Sequence, residues 1–224
     1  KTAYEIASGD WSSDVCSSDQ ANPAAVDALI EHASSRRLVL SSCSDVRYIG
    51  SGSGDLFLED VSSRSEWAIR NQKVWARQWC VERDGNKIVN RGGTVWILGL
   101  KTEKPGTVIR TLEGGKTELL GGFVMASGGP KSDPMFIIQD ASASIVAGEV
   151  AFQGSPFRVI VSETRKGVNR ILERGSPGID AIISVHAGGS ALPFYAGFDG
   201  PGAIPPPVLP GRTNRLDLPS TLPK

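Results

Sequence analysis

Aromatic side chains recur at one position of a repeated six-residue segment. Phe57, Trp75 and Trp96 each occupy the second position of similar segments, and Glu118 occupies it in the fourth. If these segments are strands stacked roughly 4.8 Å apart, the three rings form a platform about 10 Å long. Sugar rings stack on aromatic faces, because their axial C–H groups meet the π cloud. The alternative is a stripe covered by a loop, by the tail or by a second copy of the chain, in which case the stacking is purely structural.

Charged residues accompany this aromatic column. Glu59 and Arg77 share one position of successive segments, so we expect them to be neighbours one turn apart. Such a pair could hold an acidic sugar, but a simple surface ion pair is the commoner outcome and is nearly neutral in energy. Asp55 and Asp60 could join Glu59 as oxygen ligands of a calcium ion, which needs several such ligands. The pattern by itself favours no metal site.

The segments that carry these residues repeat with a fixed period, which predicts stacked strands. The stronger set starts 18, 21 and 22 residues apart and comprises LFLEDV (56–61), VWARQW (74–79), VWILGL (95–100) and TELLGG (117–122). A weaker set lies between its members: AIRN (68–71), KIVN (87–90), VIRT (108–111) and FIIQ (136–139). Two strands in each turn of about 20 residues are typical of a β-solenoid, because a sandwich has no reason to keep a fixed period. We therefore predict an all-β parallel β-helix over residues 38–187.

Two columns of side chains are predicted inside this solenoid. Alternate positions of the stronger set would point inward, and they read Leu56, Val74, Val95 and Thr117 in successive turns. In the weaker set, the final positions read Asn71, Asn90, Thr111 and Gln139. Stacked polar side chains can hydrogen-bond along the axis, each to its neighbour. The pairs Gly92-Gly93, Gly114-Gly115 and Gly121-Gly122 suit tight corners.

The two ends of the chain differ from the repeats. Residues 1–19 resemble the translation of a short-read sequencing adapter, whose two arms match KTAYEI (1–6) and DWSSDVCSSD (10–19). We expect this stretch to be an artefact and the native chain to be the C-terminal part of a longer protein. Residues 20–37 are predicted to be a short helix or linker, because residues 26, 29, 30 and 33 have helical spacing. The Pro- and Gly-rich tail over 188–224 is predicted to be disordered, or to be an arm over the last open edge.

Composition narrows the function classes. The chain has 24 basic and 24 acidic residues; without residues 1–19, which contain one lysine and four acids, these become 23 and 20. This mild charge gives no reason to expect nucleic acid as a partner. Beyond residue 19 the cysteines are Cys43 and Cys80, too few for a disulfide framework or a zinc site. No apolar run is long enough to span a bilayer.

The stretch from Lys73 to Gly122 resembles the C-terminal turns of bacterial pectate-lyase-superfamily proteins, which include rhamnogalacturonase- and epimerase-like β-helices. The matching text is VWARQ, NKIVNRGGTVWILGLKTE, PGTVIRT and GGKTELLGG. The resemblance implies a right-handed parallel β-helix, secreted or on the cell surface, that acts on or binds a polysaccharide or cell-wall glycan. Its signal peptide would lie upstream. Lyases of this kind use calcium held by acidic side chains, and the hydrolases use clustered aspartates.

The catalytic signatures of that superfamily are absent from the sequence, so its catalytic residues stay unknown. It contains no NTD, no adjacent pair of aspartates and no GHG, and neither His32 nor His186 has a recognisable setting. Lys101 and Glu103 are interpreted as part of a solvated turn. We expect a lyase or hydrolase whose catalytic turns lie upstream. The alternative is a non-catalytic glycan-binding adhesin or structural β-helix that self-associates through the aromatic stripe, as a homo-oligomer.

Overall fold

The computed structural model describes residues 28–128, 133–182 and 188–197, and these form an all-β solenoid of about six turns. Sixteen strands, numbered in chain order, build two eight-stranded sheets. The short-strand sheet contains, in spatial order, β1 (Ala28–His32), β3 (Val46–Gly50), β5 (Trp67–Arg70), β7 (Ile88–Arg91), β9 (Ile109–Leu112), β11 (Phe136–Gln139), β13 (Val159–Arg165) and β14 (Val168–Glu173). The long-strand sheet contains β15 (Asp180–Ile182), β16 (Gly189–Tyr195), β12 (Ser142–Gly154), β10 (Lys116–Gly128), β8 (Thr94–Glu103), β6 (Lys73–Glu82), β4 (Leu56–Ser63) and β2 (Leu38–Cys43).

Successive turns pair in parallel, which confirms the predicted β-solenoid. Register partners are 18 residues apart between β2 and β4 and 22 apart between β8 and β10, close to the predicted period. The predicted inward column is also confirmed, since Leu56, Val74, Val95 and Thr117 are in register and buried. The core is therefore a stack of apolar columns enclosed by the two sheets.

Each long strand from β2 to β10 bends at one residue with a left-handed backbone. These residues are Ser42 (φ 49°), Asp60 (55°), Gln78 (53°), Gly99 (78°) and Gly121 (80°). The register skips this position in every turn, because the extra residue shifts the inward–outward alternation by one. Strand β4 accordingly buries Leu56 and Leu58 before the bend and Val61 after it. One strand thus supplies two straight segments that both face the interior.

The predicted polar column holds at two of its four positions. Asn90 and Thr111 are in register and buried, but isoleucines flank them on the turns before and after. Asn71 instead lies at a corner with φ 50°, and Gln139 is exposed. Asn90 Nδ2 donates to two backbone carbonyls and to Thr117 Oγ1 (3.1 Å), so it closes its own corner and does not join an amide ladder. The predicted ladder of four polar side chains is therefore wrong. The sequence alignment matched the last residue of each short strand, whereas in the structure Ile69 and Ile138 are the register partners of Asn90 and Thr111.

The N-terminal helix prediction is wrong where the structure describes it. Ala28–His32 is strand β1, which pairs in parallel with β3 over five residues. Its apolar residues fit a helix as well as a strand, and pairing with the next turn decides between them. Residues 1–19, with their resemblance to an adapter, and residues 20–27 lie outside the described residues.

The C-terminal end closes with antiparallel strands. Strands β13 and β14 form an antiparallel hairpin. Gly189–Tyr195, from the predicted tail, runs antiparallel to β12 as strand β16, and β15 pairs with β16. The arm alternative is confirmed for these residues; residues 198–224 lie outside the described part. No helix of the described residues has the length and hydropathy to cross a membrane.

Candidate functional site

The predicted aromatic column lies on the outer face of the long-strand sheet. Phe57, Trp75, Trp96 and Glu118 are direct register partners on β4, β6, β8 and β10, and all four are half-buried. They line a shallow groove of about 280 Å³ together with Val39, Glu59, Arg77, Leu98 and Leu120. The repeat therefore brings together all six residues that the sequence nominated. We call this surface the aromatic groove.

The three rings stack on one another along the solenoid axis. Ring centroids are 4.8 Å apart for Phe57 and Trp75 and 5.0 Å apart for Trp75 and Trp96, with interplanar angles of 7° and 14°. The outer centroids of the stack are therefore almost 10 Å apart, the length expected from the strand spacing.

The ends of the aromatic stack carry opposite charges. The Arg37 guanidinium carbon lies 5.2 Å from the centroid of the Phe57 ring, a cation–π arrangement. Glu118 follows Trp96 on the next turn. Neither Arg37 nor Glu118 has an ion-pair partner among the described residues. The groove thus runs from a cation at the Phe57 end to a carboxylate at the Trp96 end.

A second column borders the groove and changes from charged to apolar along the axis. Glu59 and Arg77 are in register and form an ion pair, as the sequence predicted. Their side chains are 52% and 58% exposed, so the pair contributes little to stability. Leu98 and Leu120 continue the column and are 58% and 45% exposed. Two neighbouring turns therefore expose large apolar side chains side by side at the border of the groove.

The described residues do not fit the calcium site that the resemblance implies. They contain no group of three or more His, Cys, Asp or Glu side chains placed to hold a metal ion. Glu59 is committed to Arg77, and Asp60 lies at the bend of β4 with a left-handed backbone. A role for calcium stays a prediction from the resemblance.

Sequence reasoning missed a charged cluster at the end of β6 and β8. Lys101 Nζ donates to the carboxylates of Glu82 and Glu103, and Cys80 Sγ lies 3.4 Å from Glu82 Oε1. Burial by itself lowers the pKa of Lys101, but the hydrogen bonds to Glu103 and Glu82 outweigh it and raise the pKa. The solvated-turn interpretation was wrong, because β8 extends to Glu103. The repeat period could have predicted this cluster, because CVE (80–82) and KTE (101–103) occupy equivalent positions of successive turns and are in register.

His32 belongs to a buried polar and aromatic cluster in the first turns. Its Nε2 donates to the Arg36 carbonyl (2.7 Å), and its Nδ1 lies 3.1 Å from the Tyr48 hydroxyl. Tyr48 in turn donates to Gln72 (3.1 Å) and stacks on Trp67 at 5.1 Å. Because these hydrogen bonds join separate turns within the core, His32 has a structural role. His186 lies outside the described residues.

Neither cysteine of the described part is placed as a nucleophile. Both Cys43 and Cys80 are buried, and neither forms a disulfide bond within the described residues. Burial raises the pKa of the Cys43 thiol, and the nearby Asp60 carboxylate raises it further, so the protonated thiol is favoured.

Comparisons of the chain with protein-family models, with curated proteins and with solved structures found no match. The fold and the aromatic groove therefore carry the functional argument that follows.

Proposed function

We propose that the chain is part of a right-handed parallel β-helix of the pectate-lyase-superfamily kind and that its aromatic groove binds a glycan. Three observations support the proposal: the text over residues 73–122 resembles that superfamily, the chain forms a parallel solenoid, and its outer face carries an aromatic ladder. The ladder is the observation that carries the function. Secretion or display on a cell surface belongs to the same proposal.

The geometry of the groove suits a short, linear saccharide. The half-buried rings of Phe57, Trp75 and Trp96 form a ladder almost 10 Å long between the outer centroids. C–H groups of a sugar pack on such aromatic surfaces. Glu59, Arg77 and Glu118 line the same groove and can exchange hydrogen bonds with sugar hydroxyl groups. An apolar floor with a few polar groups around it is the usual composition of a small-molecule site.

We assign binding, and no catalytic step, to the residues of the groove. Glycoside hydrolysis needs an acid and a second carboxylate at a defined separation across the scissile bond. The acids in the groove are Glu59, which is paired with Arg77, and Glu118, which lies in a different column three turns away. A lyase or hydrolase activity would require residues other than these.

The proposal is tested with the purified full chain and a panel of immobilised neutral and acidic polysaccharides. Aromatic contacts are worth about 0.5–1.5 kcal/mol beyond their buried area, so Trp75→Ala and Trp96→Ala should each weaken binding roughly tenfold. Ile171→Ala is the control, because Ile171 is exposed on β14 of the other sheet. If the double tryptophan variant binds every glycan as the parent does, the groove is not a glycan site.

Self-association through the same groove is the second candidate. It is favoured by the exposed Leu98 and Leu120 and by the opposite charges at the two ends. A two-fold axis near Trp75 would place Arg37 of one copy opposite Glu118 of the other, as an isologous interface requires. Sedimentation at several concentrations separates the candidates. A Leu98→Ser/Leu120→Ser variant that converts a dimer to a monomer supports self-association, and a parent chain that stays monomeric refutes it.

A further inference from the structure

Three arginines lie on the outer face of the short-strand sheet, on consecutive turns. Arg70, Arg91 and Arg110 belong to β5, β7 and β9. Strand alternation points all three outward: Ile69 and Asn90, which precede Arg70 and Arg91, are buried, and so are the neighbours of Arg110 on both sides, Ile109 and Thr111. This cluster belongs to the sheet that does not carry the aromatic groove.

The register brings these like charges together. Arg70 and Arg91 are direct partners on neighbouring parallel strands, a spacing of about 4.8 Å between strands. Arg110 is the partner of Val89, two residues before Arg91 on β7, so it occupies the diagonal position beside Arg91. Like charges placed directly opposite each other destabilise a sheet. The arrangement therefore needs a compensating negative charge.

Only part of that negative charge comes from the described residues. Glu113 forms an ion pair with Arg91. Neither Arg70 nor Arg110 has an ion-pair partner in the part of the chain that the structure describes. Three guanidinium groups and one carboxylate leave two positive charges on this patch.

Arg110 gives the second, independent sign of a missing partner. Its Nε is buried and has no hydrogen-bond partner among the residues that the structure describes. Val89 and Leu112, which lie beside the arginines on the same outer face, are only 6% and 4% exposed. A guanidinium N–H that is removed from water on an apolar floor costs free energy unless an acceptor reaches it. An anion that sits between the arginines would supply that acceptor.

We propose that Arg70, Arg91 and Arg110 form a binding site for a tetrahedral oxyanion, either phosphate or sulfate. Guanidinium groups present planar pairs of N–H donors that match the oxygen pairs of these anions. Three such groups can each use an oxygen pair or edge of a tetrahedral anion, whereas a carboxylate has only two oxygens. The site is independent of the aromatic groove and of the glycan proposal. The anion can be a free ion or an ester group on a larger ligand.

The first experiment titrates the full chain with sodium phosphate, sodium sulfate and sodium acetate by calorimetry at low ionic strength. We expect phosphate and sulfate to bind with one site per chain and acetate to bind at least tenfold more weakly. Arg70→Gln and Arg110→Gln should each reduce phosphate affinity tenfold or more. Arg47→Gln is the control, because Arg47 is exposed on β3 of the same sheet and pairs with Leu29 outside the cluster. It should change the affinity less than twofold.

A further variant and a second ligand sharpen the test. Glu113→Gln removes the carboxylate that competes for Arg91, so phosphate affinity should rise several-fold; a merely structural arginine cluster would not respond in this way. Dextran sulfate then serves as the second ligand. If the parent chain binds it far more tightly than free sulfate, and Arg70→Gln abolishes that difference, the natural ligand carries the anion as an ester group on a polymer. Equal affinities per sulfate group indicate the free ion.

The proposal is overturned if phosphate does not bind, or if Arg47→Gln weakens binding as much as Arg70→Gln does. A Trp75→Ala/Trp96→Ala variant should retain phosphate binding, which keeps this result separate from the glycan result.

Discussion

The bend in each long strand leads to a sharp prediction about Gly121. This residue has φ 80°, and a Cβ built on it would meet no atom within 4 Å. Replacement by alanine therefore creates no clash, and its entire effect comes from the backbone conformation. The equivalent position one turn earlier is Gly99, and two turns earlier it is Gln78, which adopts φ 53° with a full side chain. The same column thus contains a glycine and a glutamine with left-handed backbones, so the effects of opposite substitutions at Gly121 and Gln78 can be compared.

The expected size of the effect follows from two opposing contributions. A non-glycine residue in the left-handed region costs about 1–2 kcal/mol. Alanine also reduces the conformational freedom of the unfolded chain, which returns about 0.4–1 kcal/mol. Gly121→Ala should therefore lower the free energy of unfolding by about 1 kcal/mol, or the Tm by roughly 2–4 °C for a chain of this size. Gln78→Gly should have the opposite sign and a similar or smaller size.

Urea unfolding followed by circular dichroism measures both changes. Gly121→Asn is the control at the same position, because asparagine tolerates the left-handed region better than alanine and should cost less. Gly122→Ala is the steric control: its Cβ would approach Leu119 Cδ2 to 2.9 Å and Ala147 Cβ to 3.0 Å, so its cost is one of packing. An unchanged midpoint for Gly121→Ala, or a stability loss for Gln78→Gly, would refute the account of the bend.

Three further predictions concern the core and the C-terminal end. Glu149 is fully buried and accepts hydrogen bonds from the Phe157 backbone N–H (2.6 Å) and from Arg174 (3.3 Å). Glu149→Gln should therefore lower the free energy of unfolding, measured in urea, by about 3 kcal/mol, and a decrease of less than about 1 kcal/mol would contradict this. Burial and the hydrogen bond to Glu163 raise the pKa of Tyr195, so the folded state keeps a proton that the unfolded state releases above about pH 10. Stability should therefore fall above that pH by up to about 1.4 kcal/mol per pH unit, and Tyr195→Phe should show a shallower fall; equal slopes would refute it. Asn90→Ala removes an NH2 group that lies within hydrogen-bond distance of three acceptors, and an oxygen that accepts from Gly93 N (3.0 Å). It should cost about 2–3 kcal/mol by the same unfolding assay, whereas a neutral effect would mean that water replaces the amide.

The fixed period made the outer columns predictable from the sequence. Once the four segments were aligned, the positions of Phe57, Trp75 and Trp96 followed from strand alternation, and the structure places them in register. The pairing of Glu59 with Arg77 followed for the same reason. A parallel stack repeats one geometry in every turn, so an alignment of turns is already an alignment in space.

The same alignment could not show how the rings sit relative to one another. Strand spacing fixes the distance between Cα positions, but side-chain torsions fix the tilt of Trp75 against Phe57. The interplanar angles of 7° and 14° come from those torsions and could not be predicted from the sequence.

The failures occurred where local sequence has two solutions. The apolar residues around Ile30 fit either a helix or a strand, and the partner strand β3 selects the strand. Asp60 and Gln78 carry no glycine signal for their left-handed backbones, although Gly99 and Gly121 in the same column do. Reading the bend back from the glycines to the earlier turns would have revealed the shift in alternation after each bend. That shift also explains why Lys101 and Glu103 belong to a strand.

In a solenoid, the side chains that form the binding surface and the side chains that form the core lie on opposite faces of the same strands. Each outward column touches the next turn above and below, while the inward columns of the same strands hold the fold together. Trp75 can therefore be truncated without opening a cavity among Val74 and Ala76, which lie on the opposite side of β6. The same holds for Arg70, which is exposed while Ile69 beside it is fully buried. Substitutions in the aromatic groove and in the arginine cluster should thus leave the inward columns intact, although Trp75→Ala also removes two stacking contacts. A loss of binding in a variant that still unfolds cooperatively can therefore be attributed to the surface.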